Sequence, residues 1–338
     1  MSHWEDSELR DLFLNSNPLI DVRAPVEFAT GSAPNSVNLP ILNDEERSLV
    51  GTTYKEEGQA RAIELGHRLV SGSNKKEKIS AWKNFIMRFP NAQVYCARGG
   101  MRSGITCEWL TEAGIQKSPI SGGYKRLRNF FLSLLNEAPL DFIRLGGPTG
   151  SGKSVFLQEF LNIDLEALAN HRGSAFGGQG MQPAQASFEN ALGLEILKVG
   201  QKRFLLEDES ATIGKIVLPQ RFFQCMRDSN LVVLEASVEE RAKRIFEQYV
   251  LHQTRDFFLA GLERIRKSLG GVDFEKMKAL MEDAFSRELE FSSHEEWITF
   301  LLVRYYDPIY NRALSKQKDK IIFQGSQSDV RDFLKENL

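Results

Sequence analysis

The chain is poor in cysteine. Only Cys96, Cys107 and Cys225 occur in 338 residues, with no Cys-x-x-Cys spacing and no histidine-rich partner stretch, which excludes a disulfide framework and a cysteine-based zinc site. No run approaches the roughly 20 apolar residues of a membrane span. The opening residues, Met1-Ser2-His3-Trp4-Glu5-Asp6, carry acid where a secretory leader carries base, so a cytoplasmic protein with no membrane partner is expected. The net charge of -2 supplies no basic excess of the kind nucleic-acid-binding domains show, and any such contact has to rest on a local patch. There is no internal repeat, no low-complexity tract beyond residues 71–76, and no guanine-specifying pattern of a GTPase.

What is present is a pair of glycine-rich loops, each placed between a strand pattern and a helix pattern. A length of 338 residues with 42% hydrophobic content supports two cores, hence two domains. In the first half, residues 18–23 and 92–95 read as short buried strands, 115–120 as a third, and 105–112 and 124–135 as helices. Asn136-Glu137-Ala138-Pro139 breaks a helix and precedes a new apolar strand, 142–145, which sets the domains at 1–138 and 139–338. In the second half, 204–206 and 231–234 suit buried parallel strands, and the pattern beyond Arg241 is mostly helical, with a break at Gly270-Gly271. Alternating strands and helices in both halves define an α/β fold class.

The first loop is Cys96-Ala97-Arg98-Gly99-Gly100-Met101-Arg102-Ser103-Gly104. A cysteine at the end of a strand, followed by glycines and a helix start, sits among backbone N–H groups and the positive helix end, the setting of reactive thiols. Gly99 and Gly100 permit the turn, and Arg98, Arg102 and Ser103 join the N–H groups in binding an oxyanion there. Cys107 and Cys225 read as core residues. Tyr124, Lys125, Arg126 and Arg128, interleaved with Phe130 and Phe131, are either an RNA-contacting patch or the solvated face of an amphipathic helix.

The second loop, Gly147-Pro148-Thr149-Gly150-Ser151-Gly152-Lys153-Ser154, satisfies the Walker A pattern in its required strand–loop–helix setting. Backbone N–H groups from Gly150 to Ser154 would cradle phosphates, Lys153 would reach a terminal phosphate, and Ser154 would offer its hydroxyl to Mg²⁺. Glu207 and Asp208, at the end of an apolar strand, are candidates for holding that metal or its water, or else a solvated strand end. His171, Arg172 and Ser174 lie in a glycine-containing stretch that is either a substrate lid or a plain surface loop.

The first 135 residues or so resemble a rhodanese domain: Asp21-Val22-Arg23 with Glu27, then residues 31–40, Val94-Tyr95-Cys96 and Gly122-Gly123-Tyr124. Cys96 and Arg102 stand six apart, whereas many single-domain rhodaneses place the arginine five residues on, and the stretch from Pro40 to Val94 is longer than a simple rhodanese needs. With residues 43–47 and 50–55 in that stretch, the Walker A loop, His171-Arg172-Gly173-Ser174 and Tyr306-Asp307-Pro308-Ile309-Tyr310, the whole chain resembles the bacterial tRNA 2-selenouridine synthase family. That resemblance implies a rhodanese-like α/β domain followed by a P-loop NTPase-like α/β domain with a helical C-terminal part. It implies an enzyme that replaces sulfur by selenium in 2-thiouridine at the tRNA wobble position, with selenophosphate as donor, through an S-geranylated intermediate made from geranyl diphosphate. An enzyme supplying selenophosphate is then an expected partner. Alkylation turns a poor leaving group into a thiol that selenium can expel, which explains the order of the steps. The P-loop would hold the diphosphate and the Cys96 loop the selenophosphate. ATP at the P-loop, an ATP-dependent sulfurtransferase, a Cys-x5-Arg phosphatase and a nucleotide-gated sulfur carrier are the alternatives. The residue before Cys96 is Tyr95, where such phosphatases usually carry histidine.

Overall fold

The computed structural model describes residues 5–172, 176 and 180–338, apart from the Val155 side chain. The chain forms two compact units, Met1–Ala138 with Pro183–Lys198, and Pro139–Gln182 with Val199–Leu338. The split expected from sequence gave everything after residue 138 to the second domain. Instead most of the helix Gln185–Val199 belongs to the first. Its Leu194 and Leu197 complete an apolar cluster with Leu9, Phe13, Leu127 and Phe131, and its Asn190 amide donates to Ser32 O at 2.8 Å. Contacts of that sequence separation leave no local trace.

In the first unit, β1 (Leu19–Asp21) lies between β2 (Ser36–Asn38) and β3 (Gln93–Tyr95), all parallel. Buried parallel strands read as unbroken apolar runs, as Leu19-Ile20 does. The third strand expected at 115–120 is reduced to a bridge between Val94 and Pro119, because proline has no N–H with which to continue a ladder. The long stretch before β3 folds as three helices, Asp44–Glu57, Gln59–Leu69 and Gly72–Arg88. Asn43 opens the first with a capping box: its side chain accepts from Glu46 N at 2.8 Å, and Glu46 accepts from Asn43 N at 2.8 Å. Trp82, fully buried on the third, donates its indole N–H to Leu39 O at 2.9 Å.

The second unit is built on a five-stranded parallel sheet. In chain order its strands are β4 (Phe142–Gly146), β5 (Asn162–Ile163), β6 (Phe204–Glu207), β9 (Leu231–Leu234) and β10 (Ile321–Gly325), arranged β10-β9-β4-β6-β5. A short hairpin, β7 (Thr212–Ile213) with β8 (Ile216–Val217), stands apart from it. β4 is central, wholly buried, and delivers the chain into the Walker A loop. β10 lies at the edge, and its three apolar residues did not announce a strand inside a stretch that otherwise reads as helical. From Val238 onward helices enclose a second core around Phe258, Met277, Met281 and Trp297, with a break at Gly270, whose φ of +86° ends one helix before Gly271–Ser286 begins. Among the described residues no helix is long and apolar enough to cross a membrane.

Candidate functional site

Cys96 follows β3 directly, and the helix Met101–Glu112 starts five residues later. The thiol is buried, and Ser103, fully buried one turn away, donates its hydroxyl to Cys96 Sγ at 3.1 Å. The loop is clamped from behind: Tyr124 N–H donates to Cys96 O at 2.7 Å and Lys125 N–H to Ala97 O at 3.0 Å. These carbonyls thereby satisfy the N-terminus of the helix Gly123–Glu137, while Gly99, Gly100, Met101 and Arg102 keep backbone N–H groups that engage no carbonyl among the described residues. Such a row of free donors is what an anion requires. The clamp needs glycine in particular places. Gly99 and Gly123 have φ of +63° and +54°, and a Cβ on Gly123 would lie 2.2 Å from Cys96 O. Gly100 has negative φ and open space around it, so of the loop's two glycines the geometry requires only Gly99.

Arg102, expected on the anion alone, is paired in a fork with Glu27 at 2.5 and 3.0 Å. Burial pushes the Glu27 carboxyl up, and the Arg102 guanidinium more than offsets this, holding it below its ordinary 4.5. The pair fixes the guanidinium as one wall of the loop, with donors left over for an anion. Arg98 is exposed and has no partner among the described residues. Asp21 and Arg23 serve the scaffold: Arg23 bonds Asp21 at 2.6 Å and Gly31 O at 2.7 Å, and lies over the Tyr124 ring at 4.0 Å. Burial raises the Cys107 thiol to about 12, with the neighbouring Cys96 adding to the shift, so Cys107 stays an inert core thiol.

In the basic-aromatic segment most side chains have partners within the protein. Tyr124 packs under Arg23, Phe130 and Phe131 are core, Arg126 pairs with Asp6, and Arg128 bonds Glu189 and, at 2.9 Å, Asn190. Lys125 remains exposed.

In the second unit the Walker A loop is also clamped from behind, here by side chains. Arg241 Nε donates to Thr149 O at 2.9 Å, Arg244 Nη1 to Gly150 O at 3.1 Å and Ser151 O at 3.0 Å, and Gln327 to Ser151 O at 3.4 Å. Arg241 is itself held by Asp307 at 2.7 Å. Gly147, Gly150 and Gly152 have φ of +155°, +80° and +96°, and the latter two face the clamping residues so closely that a Cβ would meet Arg241 O at 3.0 Å and Gln327 Nε2 at 2.7 Å. With those carbonyls engaged, Gly150, Gly152, Lys153 and Ser154 keep backbone N–H groups that engage no carbonyl among the described residues, as an anion requires, while the Ser151 N–H, expected in the cradle, donates to Pro148 O at 3.0 Å. Lys153 folds back over it, 3.1 Å from Gly147 O and 3.5 Å from Glu207 Oε1. Ser154 is exposed, and the Ser151 hydroxyl is buried with no partner among the described residues. Arg241 and Arg244 were missed in the sequence, where two arginines three apart on one helical face were the available signal; Asp307 stands in the 306–310 motif, without a role there.

Glu207 and Asp208 part company. Asp208 accepts from Arg144 at 2.9 Å and Arg227 at 3.0 Å and anchors the fully buried Arg144, so it is not a metal ligand candidate. Glu207 joins Glu166 and Glu209, one carboxylate oxygen from each lying within 4.8 Å of the others. Burial, reinforced by Glu207, raises Glu166 to about 9 and Glu209 to about 8. Buried oxygen donors crowded in this way suit a hard cation such as Mg²⁺. Glu166 was missed in the sequence, whereas Glu209 stands in the same run of carboxylates as Glu207 and Asp208. The site opens into a cavity of about 490 Å³ whose wall beyond the loop carries Ile245, Tyr249, Tyr305, Tyr306, Ile309 and Leu314 together with the polar Arg227, Gln248 and Gln317. Arg172 lines it and lies over the Tyr249 ring at 4.8 Å. His171 is set apart, its Nδ1 buried without a partner among the described residues, and Ser174 lies outside those residues. Tyr305 and Tyr306 are carried on a π-helical turn, Leu302–Tyr306, a distortion common at functional sites.

A parallel sheet whose central strand enters such a loop makes the second unit a P-loop domain, and the family model described as the tRNA 2-selenouridine synthase AAA domain matches residues 140–338. A tRNA 2-selenouridine synthase from Ectopseudomonas mendocina (strain ymp) is 43% identical, covering 98% of this chain and 96% of the relative. One from Sulfurovum sp. (strain NBC37-1) is 42% identical over 98% of each. The N-terminal domain of a Clostridium difficile 630 protein described as ATP/GTP-binding aligns over 35% of this chain and 90% of its own at 35% identity, with a TM-score of 0.33, too low to establish a shared fold. The chain belongs to the tRNA 2-selenouridine synthase family and is an enzyme.

Proposed function

We propose that this enzyme converts 2-thiouridine at the tRNA wobble position into 2-selenouridine in two steps divided between its loops. At the P-loop the thiocarbonyl sulfur attacks C1 of geranyl diphosphate; the C–O bond breaks, diphosphate leaves, and the base loses its N3 proton. Lys153 and the loop N–H groups stabilise the departing charge. Glu166, Glu207 and Glu209, with the Ser154 hydroxyl, are the residues that would hold Mg²⁺, which neutralises diphosphate when bound. At the rhodanese-like thiol loop the free N–H groups and Arg102 bind selenophosphate beside Cys96.

The observation that carries this reading is the group of aromatic and aliphatic side chains, Ile245, Tyr249, Tyr305, Tyr306, Ile309 and Leu314, set in the otherwise polar cavity beyond the P-loop, where a prenyl chain would lie next to its diphosphate. Mass spectrometry of nucleosides from 2-thiouridine tRNA incubated with the protein, selenophosphate and geranyl diphosphate tests it. Both S-geranyl and seleno products are expected from the wild type, and neither product would sink the reading. Lys153→Ala should slow geranylation by about a hundredfold or more while still selenating pre-geranylated tRNA. Cys96→Ala should accumulate the S-geranyl base. The opposite pattern would exchange the roles of the two loops, and turnover that needs ATP in place of geranyl diphosphate would assign the P-loop to a nucleotide.

A further inference from the structure

The unit carrying Cys96 contains a cavity that anion binding does not account for. It measures about 560 Å³, within the range of about 300–1,000 Å³ typical of small-ligand pockets, and lies between the helices Asp44–Glu57, Gln59–Leu69 and Met101–Glu112. Ile41, Val50, Ile63, Val70, Ile105 and Trp109 supply its apolar walls. Arg102 and Glu27 line it as well, so one guanidinium borders both the cavity and the anion loop. Its edge carries Arg47, Lys55 and His67, which are exposed. Selenophosphate is small and fully polar and has no use for such walls. The long stretch between Pro40 and Val94, surplus to a simple sulfur-transfer domain, is what builds most of them.

We propose that this cavity receives the geranyl chain carried on the modified base, the leaving-group side of the selenium step; this rests on the two-step reading above. The selenium of selenophosphate attacks C2 of the S-geranylated base, a C2–Se bond forms, and the C2–S bond breaks with its electron pair leaving on sulfur. That sulfur takes the proton of the selenol and departs as geranylthiol. Water then cleaves the Se–P bond, giving phosphate one hydrogen and N3 of the base the other, and selenium stays on C2. A pocket that buries the chain beside Arg102 holds C2 next to the anion loop and draws the departing thiol away from it. Arg47 and Lys55 at its edge suit the phosphates of the flanking nucleotides. The unit thus selects geranylated over unmodified base by apolar burial, a discrimination the anion loop cannot make.

The test uses the full-length protein, selenophosphate, and tRNA whose wobble 2-thiouridine has been S-alkylated beforehand with methyl, prenyl (five-carbon) or geranyl groups, so that the geranylation step is bypassed. For the wild type, KM should fall with each increase in chain length, by at least about tenfold from methyl to geranyl. Ile63→Trp, which fills the cavity, should abolish that preference. Equal KM values for the methyl and geranyl substrates in the wild type overturn the proposal even if the variant fails to fold. Loss of turnover on all three substrates alike by a folded Ile63→Trp protein also overturns it. Failure of the two-step reading looks different: the wild type would then make no S-geranyl base from geranyl diphosphate, or would selenate unalkylated 2-thiouridine directly.

Discussion

The two loops present backbone N–H groups by the same device and hold themselves in place by opposite means. Behind the Cys96 loop the clamp is backbone against backbone, with Tyr124 and Lys125 N–H groups on the Cys96 and Ala97 carbonyls. Behind the Walker A loop the clamp is made of side chains, with Arg241, Arg244 and Gln327 on the Thr149, Gly150 and Ser151 carbonyls. A backbone clamp leaves no room for adjustment, because the atoms in contact are those every residue has. A side-chain clamp can lose one arm and keep the others. The first arrangement holds Cys96 at one fixed place; the second leaves the Walker A loop the freedom of its separate arms.

Substitutions can break that contrast, and the largest effect should come at Gly123. Its Cβ would lie 2.2 Å from Cys96 O at a φ of +54°, so Gly123→Ala should cost about 3–5 kcal/mol, read as a large fall in the denaturation midpoint of the first unit. A loss under about 1 kcal/mol would show that the backbone clamp yields. Arg241→Ala removes an arm that is itself paired with Asp307, and should cost about 2–4 kcal/mol together with weaker diphosphate binding by calorimetry. Arg244, unpaired with acid in the clamp, should give a smaller loss than Arg241. Ser103→Ala deletes the hydroxyl on Cys96 Sγ and should slow the selenium step by about five- to tenfold, leaving geranylation at its original rate; equal slowing of both would deny Ser103 a part in positioning the thiol.

The smallest effect concerns acid. The folded Glu27 carboxyl sits below its ordinary 4.5, so its contribution to stability is complete above that value and disappears as pH falls through the lower folded value. Glu27→Gln should flatten the acid limb of Tm plotted against pH. An unchanged limb would mean that the Arg102 pair contributes nothing to holding the thiol loop.

Both loops were legible in the sequence because each is a local event. Cys96 to Gly104 and Gly147 to Ser154 fall between an apolar strand and a helix, and the residue types carry their own geometry. The strand expected at 115–120 was misjudged for the reason that Pro119, within it, cannot donate. β10 was invisible since Ile321 and Phe323 become a strand only by pairing with β9. Asp208 looked as good a metal ligand as Glu207 until Arg144, 64 residues away, was seen to occupy it. Glu166 has no mark in the sequence that separates it from surface acids, and Glu209 shares its run with Glu207 and Asp208; crowding makes Glu166, Glu207 and Glu209 a cluster.

From sequence alone came the chemistry each loop offers: a thiol among glycines and arginines, a lysine at the close of a Walker A run, and the family to which both belong. Tertiary structure decided which neighbours those groups have. It placed Glu27 on Arg102, the carboxylates beside Lys153, a mainly apolar cavity next to the first loop and one of mixed lining next to the second, and the helix Gln185–Val199 against the first core. The physical reason is range. Backbone conformation and donor chemistry are written in consecutive residues, whereas burial, pairing and cavity shape come from residues far apart in the chain, and only packing brings those together.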